Sequence, residues 1–187
     1  MRVLIIDNYD SFTFNLFHYI QYFVSHVDVV KNDKVSLQLI DNYDKIVLSP
    51  GPGLPHEHKN LHEILERYSN SKSFLGVCLG HQAIGEYFGA NLKQLSIVRH
   101  GVSSKICIDS DLCFFKNIPN YINVGHYHSW VIDDKYIPDC LEITSRNVDT
   151  MITSIRHKNL DIRGVQFHPE SILTEYGINI IENWIKL

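Results

Sequence analysis

The sequence predicts an α/β fold: an open, mostly parallel sheet with helices on both faces, plus additional short antiparallel strands. Three observations predict it. Up to Gly89, short apolar runs alternate with stretches whose apolar residues recur at helical spacing, and the runs open into turn-rich or glycine-bearing loops. Beyond residue 91 the helical pattern gives way to short apolar runs separated by Asp, Asn, Pro and Gly. Strands followed by helices imply parallel neighbours joined by long right-handed crossovers.

Residues 2 to 6 read as a buried strand. After Asp7-Asn8-Tyr9-Asp10-Ser11, the residues Phe12, Leu16, Ile20, Phe23 and Val24 mark a helix. The order repeats with Ile46-Val47-Leu48, a Pro/Gly loop over 49 to 55, and a helix carrying Leu61, Ile64, Leu65 and Tyr68. A third unit pairs Phe74-Leu75-Gly76-Val77 with a helix whose stripe is Leu79, Ala83, Ile84, Tyr87 and Phe88, ending near Gly89. From 91 to 167 the apolar runs around Ile106, Val124, Val131, Ile143, Ile155 and Val165 read as further strands, some antiparallel. Leu173, Tyr176, Ile180, Ile181 and Trp184 then form the stripe of a last helix.

With 187 residues, 44% of them hydrophobic, the chain is expected to form a single domain, 1–187, with its own core. A net charge of -4 without Lys/Arg runs gives no footprint for nucleic acid or an anionic membrane. The run Val3-Leu4-Ile5-Ile6 is stopped by Asp7, far short of a signal-peptide core or a membrane span, so a cytoplasmic protein is expected. Of the four cysteines, Cys107 and Cys113 are a conceivable pair. Without a secretory signal no disulfide is postulated, and reduced, buried thiols are expected.

Three segments carry chemistry. Gly76-Val77-Cys78-Leu79-Gly80 has the form Gly-x-nucleophile-x-Gly between a predicted strand and a predicted helix. The glycines permit a sharp turn that lifts Cys78 out at the carboxyl end of the strand. There the helix dipole favours a thiolate, and the N–H of Leu79 can face an oxyanion. An arbitrary cysteine is more often a buried structural thiol; the elbow setting reverses that preference.

Val165-Gln166-Phe167-His168-Pro169-Glu170 ends an apparent strand with two ionisable groups two positions apart, which project to the same face of an extended chain. Pro169 discourages helix at His168, so Glu170 can engage one imidazole nitrogen while the other faces Cys78. A surface His-Pro-Glu turn would read the same way. Ser49-Pro50-Gly51-Pro52-Gly53 follows a buried strand and gives a stiff loop at the sheet edge where open α/β folds bind ligands; by itself it is equally a plain turn.

Together, Ser49-Pro-Gly-Pro-Gly53, Gly76-Val-Cys-Leu-Gly-His-Gln82 and Phe167-His-Pro-Glu-Ser171 resemble the three signatures of class I (triad) glutamine amidotransferases. Asp7-Asn-Tyr-Asp-Ser-Phe12, His100-Gly101 and Tyr127-His-Ser129 resemble one branch, the small subunits of anthranilate synthase and aminodeoxychorismate synthase. Trp130 and the overall pattern tilt toward anthranilate synthase.

The resemblance implies a class I glutamine amidotransferase-like fold and a glutaminase acting on L-glutamine. Cys78 would attack the side-chain amide, His168 would shuttle the proton to departing ammonia, and Glu170 would orient His168. It further implies oxyanion N–H groups from Leu79 and Gly53, and a glutamine site formed by Gly51, Pro52, Gly53, Gln82, Ser129 and Trp130. Ammonia would pass to a chorismate-binding synthase subunit that touches Asp10, Ser11, His100 and Gly101. No cofactor is expected in this chain; Mg²⁺ is expected in the partner. Two positions depart from the family's frequent pattern: His126 stands where Arg often precedes Tyr-His-Ser, and Val102 where Lys often follows His-Gly. Because Arg offers a bidentate fork that His lacks, these departures bear on partner contacts and coupling.

Eleven histidines raise the question of metal. His56, His58 and His62 mix loop and helix spacing without an accompanying carboxylate or cysteine pattern, and His126 and His128 fall in the glutamine-site segment, so no metal is expected. A regulatory subunit without turnover and a free-standing cysteine hydrolase of another amide are the competing functions. Glutamine hydrolysis with and without a partner separates them.

Overall fold

The computed structural model describes residues 1–58, 60–109 and 113–187. Five parallel strands form one half of its sheet: β1 (Arg2–Asp7), β2 (His26–Lys31), β3 (Lys45–Leu48), β4 (Ser73–Val77) and β9 (Ile162–Val165). The intervening β5 (Leu92–Ile108), β6 (Tyr121–Ile132), β7 (Leu141–Asn147) and β8 (Ile152–His157) extend the same sheet with antiparallel pairings. The strand order is β2-β1-β3-β4-β9-β8-β7-β5-β6.

The pleat explains the layering, because successive side chains on a strand point to opposite faces. Val3 and Ile5 of β1 pack with Leu16 and Ile20 of α1 (Thr13–Gln21) and with Ile180 and Trp184 of α5 (Gly177–Lys186). Leu4 and Ile6 face the other way. They share a cluster with Ile40 of the short α2 (Leu37–Ile40), Ile64 and Leu65 of α3 (Leu61–Tyr68), and Ala83 and Ile84 of α4 (Leu79–Tyr87). Helices therefore cover both faces, as the alternating pattern requires.

The structure differs from the sequence expectation in several places. β2 is an added edge strand: it pairs only with β1 and is partly exposed, so its apolar signal is weak. The runs around Val124 and Val131 are one strand, β6, which pairs with the still longer β5 across two register shifts. The last helix begins at Gly177 rather than at Leu173, because the backbone N–H groups of Ser171, Thr174 and Glu175 donate to the His168, Ser171 and Asn123 carbonyls, and Tyr176 adopts left-handed φ 58°. Finally, all four cysteines are free, but only Cys78 is buried; Cys113 is exposed and Cys107 and Cys140 are half-buried, since they lie outside the two core clusters' buried sets. No helix among the described residues is long and apolar enough to cross a membrane.

Candidate active site

The carboxyl ends of β3, β4 and β9 lie side by side, and each leads into one of the three segments singled out above. Cys78 sits between β4 and α4 with φ 52° and ψ -100°, a sparsely populated conformation for a residue with a side chain. The elbow is held by its surroundings. The Cys78 N–H donates to the Val165 carbonyl (2.8 Å), and the Gln82 N–H closes the first helical turn onto the Cys78 carbonyl (3.0 Å). A Cβ on Gly80 would stand 2.1 Å from the Leu48 carbonyl oxygen, and one on Gly76 2.4 Å from that of Gly80, so both flanking positions exclude a side chain. Leu79 is the first residue of α4, where backbone N–H groups have no intrahelical acceptor and point outward.

His168 Nδ1 and Glu170 Oε1 are 2.7 Å apart, and both residues are buried. The bond fixes the imidazole, whose Nε2 has no conventional hydrogen-bond partner and faces the Cys78 thiol. Burial disfavours the charged imidazole, but the Cys78 side chain nearby and the hydrogen-bonded Glu170 carboxylate outweigh it, and the His168 pKa lies well above its ordinary value. The arrangement suits a thiolate beside an imidazolium.

Ser49 to Gly53 is stiffened from below. The Asn8 N–H donates to the Ser49 hydroxyl, the Asn8 amide donates to the Ser49 carbonyl, and Asn32 donates to Asn8 in turn. Gly51 is pressed against Asn8 and Leu79, with room for no Cβ. His58 hydrogen-bonds the Pro52 carbonyl at 2.7 Å, and His62 packs edge-on against Tyr87. No cluster of three or more His, Cys, Asp or Glu placed to hold a metal ion occurs among the described residues.

A cavity of about 350 Å³ opens over the elbow, lined by Gly51, Pro52, Gly53, Cys78, Gln82, Gln94, Tyr127, His128, Ser129 and Trp130. The six residues assigned to glutamine through the resemblance therefore share one cavity with the thiol. Comparison with known families adds the deciding match: the family model for glutamine amidotransferase class-I covers residues 4–187.

The chain belongs to the class-I glutamine amidotransferase family.

Among relatives of this amidotransferase, anthranilate synthase component 2 of Pseudomonas aeruginosa is 42% identical, with 98% of this chain and 94% of the relative aligned. Aminodeoxychorismate synthase component 2 of Klebsiella aerogenes is 41% identical, over 98% of this chain and 99% of the relative. A crystal structure from Thermoplasma acidophilum, of a protein named as a candidate GMP synthase subunit, superposes with TM-score 0.89 at 24% identity, covering 100% of this chain and 92% of that one, which establishes a shared fold.

Two segments that carry residues assigned to partner contact meet at Tyr127. Phe12, directly after Asp10 and Ser11, packs on Tyr127 (ring centroids 5.0 Å apart), and His100, beside Gly101, meets the same ring at 5.7 Å. Tyr127 in turn lies edge-on to His168 at 4.9 Å. His126, one of the two departures, points inward instead: it is fully buried and hydrogen-bonds Ser104 (2.9 Å) and His128 (3.0 Å), so it bears on the interior and not on a surface contact. Burial, followed by neighbouring positive groups, holds His126 at about 3 and His128 at about 2. Both are neutral at neutral pH.

Sequence reasoning missed Gln94, Tyr127 and His128 as lining residues, and Gln166. The Gln166 amide contacts the Cys78 sulfur at 3.6 Å. Its signal was strand alternation, which puts residues 166 and 168 on one face while Val165 and Phe167 enter the core.

Proposed function

We propose that this chain is the glutaminase subunit of anthranilate synthase, hydrolysing glutamine through a cysteinyl thioester and passing ammonia to a chorismate-binding synthase subunit in the cytoplasm. The observation that carries this reading is the buried line Cys78, His168, Glu170 at the floor of a cavity also lined by Gly51, Gln82 and Trp130. The Cys78 thiolate attacks the side-chain amide carbon of glutamine, forming a C–S bond as the carbonyl electrons move to oxygen. Leu79 and Gly53 N–H groups receive that oxyanion. Collapse of the intermediate breaks the C–N bond, and the His168 imidazolium gives its proton to the departing nitrogen. Water then attacks the thioester with His168 as base, releasing glutamate and restoring the thiol. Gly51, Pro52, Gln82, Ser129 and Trp130 hold the amino and carboxylate ends of the substrate, and Asp10, Ser11, His100 and Gly101 meet the partner. This half of the reaction uses no cofactor of its own; Mg²⁺ enters with the synthase subunit.

A second reading is supported by the nearly equal identity to an aminodeoxychorismate synthase component 2: the same chain serves that synthase, or both. Mixing the protein with each synthase subunit, chorismate, Mg²⁺ and glutamine separates them by product. Anthranilate alone assigns the first, aminodeoxychorismate alone the second, and neither product, where ammonium supports both synthases, discards both.

A further inference from the structure

Gln166 follows β9 and is fully buried, an expensive place for an amide unless its hydrogen bonds are met. They are met in one orientation only. Gln82 Nε2 donates to the Trp130 carbonyl (2.7 Å), which fixes which end of the Gln82 amide is nitrogen. The same nitrogen donates to Gln166 Oε1 (3.2 Å), so the opposite end of Gln166, its Nε2, is the one 3.6 Å from the Cys78 sulfur. Turning the Gln166 amide over would set two donors against each other, and turning that of Gln82 would set its oxygen against the Trp130 carbonyl. The sulfur therefore has the His168 imidazole on one side and a locked amide donor on another.

We propose that Gln166 is a further catalytic residue, donating its Nε2 hydrogen to the Cys78 sulfur so that the nucleophile is stabilised as a thiolate and aimed at the cavity. The proposal rests on the glutaminase reading. The amide keeps its hydrogen throughout; it differs from His168 in that no proton is transferred. A neutral thiol is a poor acceptor, whereas a thiolate makes a charge-assisted bond, so the contact strengthens as the charge forms. Gln82 acts as a positioning residue for Gln166 and links it to the Trp130 backbone of the cavity wall.

The test uses the full chain and iodoacetamide, a thiolate probe that needs neither glutamine nor a partner. Labelling of Cys78 at pH 7 is followed by mass spectrometry in Gln166→Glu, which keeps the shape and removes the donor, and in Gln166→Leu, which removes the polar group. Exposed Cys113 serves as the internal reference. Both variants are expected to label Cys78 about tenfold or more slowly, with Cys113 unchanged, because a hydrogen bond to a charged group is worth at least that factor. Gln82→Met leaves Gln166 in place without its anchor and is expected to slow labelling less, by about threefold. Cys78 labelling at the unaltered rate in folded Gln166→Glu, Gln166→Leu or Gln82→Met overturns the proposal. Glutamine hydrolysis, measured in parallel with each synthase subunit, keeps the two readings apart. Slowed labelling in a protein whose unaltered form never hydrolyses glutamine upholds the sulfur contact and discards the glutaminase.

Discussion

Nδ1 of His168 and Oε1 of Glu170 lie 2.7 Å apart with both side chains buried, which leaves Nε2 of the same ring free to serve the Cys78 sulfur. Glu170 supplies charge as well as orientation, so Glu170→Gln is expected to keep the fold yet lower kcat for glutamine by about a hundredfold, the lower range for loss of acid–base assistance. Steady-state glutaminase kinetics in the partner complex check this. An unchanged kcat would leave Glu170 without a role.

Strain at the elbow gives a stability prediction. Cys78 holds φ 52° because the flanking glycines are pinned, so Cys78→Gly is expected to be more stable than Cys78→Ala by about 1 kcal/mol, the scale of a relieved backbone strain. Gly80→Ala, with 2.1 Å to the Leu48 carbonyl, should cost about 3 kcal/mol or prevent folding. Urea melts of the three variants decide it.

Three histidines set the acid limit of the fold. His81 is pushed down to about 3 by burial, as His126 is to about 3 and His128 to about 2. Below the ordinary value of 6.5 the unfolded chain binds protons that the folded chain refuses, so stability falls with pH in the window from 6.5 toward 3. Each group contributes up to about 1.4 kcal/mol per pH unit. His168 works with the opposite sign: its raised pKa gives stability that is fully present below 6.5 and lost as pH rises through the folded value. On acidification it adds stability only down to about 6.5 and is constant below, where the three buried histidines lose theirs. Tm is therefore expected to fall steeply between pH 6.5 and 5; a flat profile there would contradict the buried, neutral histidines.

A second hollow of about 380 Å³ joins Phe12, Tyr127, Glu170 and Ile172 on the side where the 10–12 loop and His100 converge. Ile172 is 98% exposed there. Ile172→Asp is expected to leave Tm unchanged and weaken association with the synthase subunit by about tenfold or more, as loss of a buried apolar anchor does. Titration calorimetry gives the answer, and unaltered affinity would move the interface elsewhere.

Much of this was legible in the sequence because it is written in local patterns. The β1 and β4 runs, the α3 stripe and the Gly-x-Cys-x-Gly elbow each announce themselves within a few residues, and the elbow's glycines prove to be demanded by contacts as close as 2.1 Å. What stayed hidden depends on distant parts of the chain. β2 is an edge strand defined by β1, and the late start of α5 follows from backbone bonds to His168 and Asn123. Gln166 carries no charge to mark it, and gains its place beside Cys78 only when Gln82 and Trp130 arrive from two other elements. His126 looked like a surface departure because sequence does not tell which face of β6 turns inward.

One paired assay reads whether Cys78 feeds ammonia from glutamine to a synthase. Cys78→Ser is mixed with the synthase subunit, chorismate and Mg²⁺, and product formation is compared with glutamine and with ammonium as the nitrogen source. The expected result is loss of glutamine-dependent synthesis with ammonium-dependent synthesis intact. Glutamine-dependent synthesis at the rate of the unaltered protein would mean that Cys78 is not the nucleophile.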